Sequence, residues 1–174
     1  MAEKFQASDE TLGLTILSQK QLTDEIRTAV WILLDDLKPE VEAAFGRKQI
    51  YFGSLIDTAW RTLLVHDEFG DLAAFANIYI DSNNDRDPYG MVFTAVLDDF
   101  RRRGIGTLLN KRSIELCWQS DEIVTAQFNI RWDNNASRKK LIKACQGLGI
   151  KWSEVHTIPD LVNQMTGFRI PPKN

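Results

Sequence analysis

Three arginines, two glycines and a threonine crowd into seven residues of this chain: Arg101-Arg102-Arg103-Gly104-Ile105-Gly106-Thr107. An apolar, β-rich run from Val92 to Leu97 precedes them, then a short acidic turn, Asp98-Asp99-Phe100. Behind them Ile105, Leu108, Leu109 and Leu116 recur at helical spacing. A strand, a basic turn with glycines and a helix N-terminus together suit a polyphosphate. First-turn N–H groups have no intrahelical partner and carry the positive end of the helix dipole. Gly104 and Gly106 lack a Cβ, so the main chain can come close to an anion and take unusual torsions. Thr107 adds a hydroxyl donor. Two familiar phosphate motifs do not fit. A P-loop requires Gly-Lys-Ser/Thr, and Gly106 is followed directly by Thr107; the dinucleotide fingerprint requires a third glycine where Leu109 stands.

The elements that must hold this turn follow from periodicity. Residues 1–10 are polar and read as a flexible tail, with one domain expected over residues 11–174. Leu12 to Leu17 reads as a first strand. Thr23 caps a helix whose apolar face is Ile26, Val30, Leu33, Leu34 and Leu37, ending before Pro39. A short helix from Pro39 to Gly46 is expected next, then an ambiguous stretch, Gln49 to Ala59. Trp60–His66 and Leu72–Ile80 read as a hairpin around Asp67–Asp71. Asp81 to Pro88 is a polar loop; its alternating acids fail as a calcium loop because Arg86 and Val92 stand where glycine and glutamate are required. After the helix that runs to about Trp118 come a strand over Val124–Ile130 and a helix opened by Asp133–Ser137. Strands over Lys151–Thr157 and Met165–Ile170 follow, with a turn at Pro159-Asp160. Hairpins first and alternation later predict an α/β fold with a mixed sheet.

Composition narrows the setting. There is no apolar run long enough to span a bilayer and no signal-peptide core, and Cys117 and Cys145 have no metal-like spacing. A cytoplasmic protein without a membrane partner or bound metal is expected. Charge is divided: residues 1–100 carry eight basic and eighteen acidic side chains, residues 101–151 eleven and four. A basic half for an anionic cofactor beside an acidic half for a cationic amine is consistent with that division.

The order strand, acidic pair, aromatic, Arg-x-x-Gly-x-Gly, helix resembles the acyl-CoA pyrophosphate loop of the GNAT acetyltransferase superfamily. Asn134, with Ser137 three residues on and a helix ending at Gly149-Ile150, resembles its second signature, about two residues longer than usual and with Ile for Phe. The resemblance implies a single-domain, mostly antiparallel mixed sheet flanked by helices on both faces, and acetyl-CoA or another acyl-CoA as co-substrate. It implies that backbone groups of Thr94, Ala95 and Val96 face the pantetheine and acyl carbonyl, one N–H serving as the oxyanion donor. Arg101 takes the Gln/Arg position, Arg102, Arg103, Gly104, Ile105, Gly106 and Thr107 supply the pyrophosphate nest, and Asn134 contacts the cofactor. Where many members carry a tyrosine proton donor this chain has Cys145, a thiol that can donate a proton or simply fill a helix face. The glutamate that some members carry on the strand before the loop is absent, so the general base is unassigned. The implied reaction is acyl transfer to a primary amine of a small molecule or peptide by direct attack. Homodimers occur in the family and are expected here only by that analogy. A catalytically silent CoA-binding or protein-interaction module, and an acyltransferase for tRNA or ribosomal targets, are the alternatives; net charge −3 argues against a nucleic-acid partner.

Overall fold

The computed structural model of the chain describes residues 4–6, 13–37, 56–81, 88–161 and 164–173. The helix expected over Pro39–Gly46, most of the Gln49–Ala59 stretch and the loop at 82–87 lie outside the described residues. The strands are β1 (Lys4–Gln6), β2 (Gly13–Ser18), β3 (Arg61–His66), β4 (Leu72–Asp81), β5 (Tyr89–Val96), β6 (Thr125–Arg131), β7 (His156–Asp160) and β8 (Met165–Ile170). Three described α-helices join them: α1 (Asp24–Asp36), α2 (Ile105–Trp118) and α3 (Asn135–Gly147). The sheet has eight strands in the order β1-β2-β3-β4-β5-β6-β8-β7, mixed and mostly antiparallel as expected. Two compact units are formed, Met1–Asn77 with Thr94–Gly106, and Ile78–Phe93 with Thr107–Asn174.

In the first unit β1 pairs with β2 from Lys4↔Thr15 to Gln6↔Gly13, so part of the stretch expected to be a tail is strand. The β2–β3 ladder is unbroken from Gly13↔His66 to Ser18↔Arg61. Thr62 to Val65 on β3 and Ala73 to Asn77 on β4 are buried without alternation, the pattern of strands covered on both faces. The Thr62 hydroxyl donates to Asn77 Oδ1 at 2.9 Å, which satisfies the one polar pair in that layer. Helix α1 begins where expected, with Ile26 N–H on Thr23 Oγ1 at 3.4 Å, a cap that contributes about 1 kcal/mol. Its buried face is Val30, Leu33 and Leu34, continued by the C-cap Leu37, and truncating one of these leucines to Ala costs about 2–5 kcal/mol. The hairpin is set locally: Asp67 Oδ1 accepts from Phe69 and Asp71 N–H, and Gly70 takes φ 90°.

In the second unit β5 runs parallel to β6 from Tyr89↔Thr125 to Val92↔Phe128, and β6, β8 and β7 follow in antiparallel register. Strand β5 starts three residues earlier than the apolar run suggested. Its Gly90 lies under α2: a Cβ there would stand 2.6 Å from Cys117 Sγ and 3.1 Å from Ile78 Cγ2. The inward line of α2 in this unit is Leu109, Ile114 and Cys117, with Leu108 and Leu116 only half-buried. The strand expected over Lys151–Thr157 is corrected. Trp152–Glu154 is a 3₁₀ turn closed by Glu154 N–H on Lys151 O and capped by Lys151 N–H on Glu154 Oε2, and the strand is β7, which includes the Pro159-Asp160 pair expected to turn. Proline is tolerated there because β7 ends the sheet order, where a missing N–H need break no ladder.

Gly90→Ala is expected to destabilise the protein by about 1–3 kcal/mol in chemical denaturation, through overpacking against Cys117. Adding Cys117→Ala to that variant should recover part of the loss, a coupling that a double-mutant cycle reads directly.

Candidate functional site

The turn between β5 and α2 has a specific main-chain shape. Leu97 N–H donates to Ala73 O at 3.0 Å, Phe100 N–H to Leu97 O at 3.0 Å and Arg101 N–H to Asp98 O at 3.0 Å, which wraps Asp98–Phe100 into a single 3₁₀ turn. The sign of φ then alternates. Arg101 lies at −69°, Arg102 at 65°, Gly104 at 85°, and the residues between and after keep φ negative. Alternation of this kind turns successive N–H groups toward one point and makes a concave anion nest. Among the described residues, no acceptor takes the N–H groups of Arg102, Arg103 or Gly104. Ile105, Gly106 and Thr107 follow as the first turn of α2, whose N–H groups lack intrahelical partners by construction. A Cβ on Gly104 would touch nothing within 4 Å, so glycine is required there for torsion rather than for room.

The arginines divide the work. Arg101 Nη2 stands 2.7 Å from Asp98 Oδ1, and its Nε–H donates to Val96 O at 3.2 Å. Its guanidinium therefore folds back on the strand end and fixes where the turn begins. Arg103 stacks over the Phe100 ring, 5.2 Å from the centroid. Arg102 and Arg103 are exposed with Gly104, while Ile105 and Gly106 are buried beneath them. On β5, Thr94 is half-buried and Ala95 and Val96 are buried. Backbone groups of a strand alternate in direction. Leu97 N–H bonds to Ala73, so Thr94 and Val96 point their N–H and C=O groups to the opposite side.

The structure thus brings Thr94 to Gly106 together in one unit, and Thr107, Asn134 and Cys145 lie in the other. Asn134 is the N-cap of α3, with Ser137 N–H on its Oδ1 at 3.0 Å. Cys145 is 1% exposed, and burial pushes its thiol up to about 11. Cys117 is fully buried and pushed up to about 12 for the same reason. Among the described residues no cluster of three or more His, Cys, Asp and Glu is placed to hold a metal, and no helix is long and apolar enough to cross a membrane. A polar group on β5, β6 and β8 lies outside the residues expected from the sequence to form the site. Its signal was the alternation of Gln127 and Asn129 with Ala126, Phe128 and Ile130.

A protein-family comparison matches residues 27–147, well over half of the chain, to the acetyltransferase (GNAT) family. The chain belongs to the GNAT family. A search of curated protein sequences returned no match. Solved structures share the GNAT fold at low identity. A Salmonella typhimurium protein titled a putative acetyltransferase, solved with its cofactor acetyl-CoA, matches at TM-score 0.65 and 14% identity, over 92% of this chain and 95% of that one. An acyl-CoA N-acyltransferase from Pseudomonas aeruginosa matches at TM-score 0.63 and 12% identity, over 94% and 100%. A ribosomal-protein α-N-acetyltransferase in complex with coenzyme A matches at TM-score 0.61 and 11% identity, over 98% of each chain.

The two thiols of this GNAT protein are expected to resist thiol reagents near pH 8 and to react fully on unfolding. A raised thiol pKa in the folded state means that this stabilisation is complete below the ordinary value of 9.0. It is lost as pH climbs toward 11 and 12. Thermal melts across that window should fall, and Cys145→Ala should flatten the lower part of the decline.

Proposed function

We propose that this protein transfers an acetyl or other short acyl group from acyl-CoA to a primary amine. The observation that carries the reading is the nest from Arg102 to Gly104, aimed from the end of an extended strand and followed by unpartnered helix N–H groups. Such a nest suits a diphosphate, and Arg102, Arg103 and the Thr107 hydroxyl add charge and a donor. Acyl-CoA, when bound, supplies an activated thioester whose acyl group passes to the amine nitrogen as the CoA thiol departs.

The chain's own part is orientation and electrostatics. Arg101 ties the Val96 carbonyl and Asp98 together, so the strand end and the nest keep a fixed offset. An N–H group of Thr94, Ala95 or Val96 serves as the donor where negative charge develops on the acyl oxygen; the alternation along β5 favours Thr94 or Val96. A preset donor and a held thioester can account for most of the acceleration without a strong side-chain acid. We keep Asn134 as a second cofactor contact through its Nδ2, since its Oδ1 is committed to the α3 cap.

Cys145 we place among the packing residues. A buried thiol with a pKa near 11 is a weak acid for protonating a departing thiolate, and water serves instead. Loss of the amine proton likewise goes to water. The acceptor is an amine attracted by the acidic first hundred residues.

Calorimetric titration with acetyl-CoA is the direct check. The intact protein should bind, and Gly104→Ala, which strains a left-handed residue by about 1–2 kcal/mol, should weaken binding by whatever part of that strain the free loop relieves by turning its amides away. Arg102→Ala should weaken binding about tenfold. Cys145→Ala should leave kcat within about threefold. Absence of binding by the intact protein, or identical affinity in the Gly104 and Arg102 variants, overturns the assignment.

A further inference from the structure

On the face of the sheet opposite Gly90 and α2, the second unit carries a chain of polar side chains. Tyr89 O–H donates to Asp81 Oδ2 at 2.6 Å. The Arg169 guanidinium lies over the Tyr89 ring, 4.7 Å from the centroid. Arg169 Nε–H and Nη2–H both donate to Gln127 Oε1, at 3.2 and 2.8 Å. Gln127 Nε2 donates in turn to Asn129 Oδ1 at 3.1 Å. The pairings Gln127↔Arg169 and Asn129↔Gly167 put all of this on one side of β6 and β8.

The direction of every bond follows from chemistry. Arginine only donates, so Gln127 must accept with its oxygen and donate with its nitrogen. Asn129 then accepts with its oxygen, and its Nδ2 is left with a weak contact to Met91 Sδ at 3.7 Å. Gly167 makes room: a Cβ there would stand 3.1 Å from Asn129 Oδ1 and 3.3 Å from Gln127 Nε2. Gln127 is buried, so a neutral amide has been placed under the arginine at the cost of its own desolvation.

Arg169 has no carboxylate partner among the described residues; its bonds go to a neutral oxygen and its charge to a ring face. The nearby acid, Asp81, is engaged by Tyr89. The outer edge of the fork, Nη1 and the second Nη2 hydrogen, takes no bond from a described residue, and the arginine as a whole is half-exposed. An immobilised guanidinium with a free planar edge is matched by a carboxylate, which it binds through two parallel N–H···O bonds. Asn129 Nδ2 offers a further donor.

We propose that this face binds a carboxylate, and that this carboxylate is carried by the amine-bearing substrate, such as a short peptide with a free C-terminus. The proposal rests on the acyltransferase reading. On that reading Arg169 selects substrates with an anionic end, which makes it a residue that determines specificity.

The test uses peptides of one to four residues, each with a C-terminal carboxylate or the matched carboxamide. Binding is measured by calorimetry without acetyl-CoA and turnover with it, for the whole chain and for Arg169→Gln and Arg169→Lys. At the best length the carboxylate form should bind and react about tenfold or more better than the carboxamide. Arg169→Gln should bring that ratio close to one and Arg169→Lys should keep part of it, with acetyl-CoA affinity unchanged in both. Thermal melts of both variants establish that they fold, and Arg169→Met, which keeps the stem without the charge, stands in for Arg169→Gln if the latter does not. Equal handling of the two forms by the intact protein, or a preference that survives Arg169→Gln, overturns the subsite. If the carboxylate preference in binding holds while acetyl-CoA fails to bind, the acyltransferase reading falls and the anion site stands without it.

Discussion

The change of torsional sign between Arg101 and Ile105 is the constraint on which the rest depends. An extended strand must become a helix within a few residues, and it must do so with its amides gathered toward one point. Gly104 meets this requirement without steric cost, whereas Arg102 meets it at φ 65°, a position that costs an L-residue about 1–2 kcal/mol. That expense is held in place by cheaper contacts on either side. The Asp98–Phe100 turn closes on its own backbone, and Arg101 fastens the turn to Val96.

What surrounds the turn is apolar for a reason. Ile105 is buried at the start of α2, and Ala95 and Val96 are buried at the end of β5. Burial of the elements at both ends gives the loop little freedom to relax its torsions. The amides are thus presented by a stiff frame, and a donor that need not reorganise is worth more than one that must.

Much of this was legible in the residues because it is local. The Thr23 cap, the Asp67–Gly70 turn, and the glycine spacing at 104 and 106 each act within a few positions of themselves. The two ends of the loop could be located in the same way. The function of Arg101 could not: its type and spacing suggested an anion ligand, while its use as a clasp on Val96 depends on where its side chain folds. Cys145 illustrates the other limit. Counting back along a helix gives its position but not its burial, and burial is what weakens it as an acid. The strand expected over Lys151–Thr157 was shifted because a 3₁₀ turn and an edge strand carry no strong period of their own. The Arg169 group required knowing that Gln127 and Arg169 are partners, a pairing set by register across forty-two residues.

Pro159 has one more implication. It stands in β7, the terminal member of the sheet order, and its pairing with Thr166 leaves the β7–β8 ladder in register. An imide nitrogen has nothing to donate, so any incoming chain that tried to lengthen the sheet on that side would find a gap in the row of hydrogens it needs. The proline that was expected to turn the chain instead lies within the border strand, and self-association through that one border is disfavoured by a single ring.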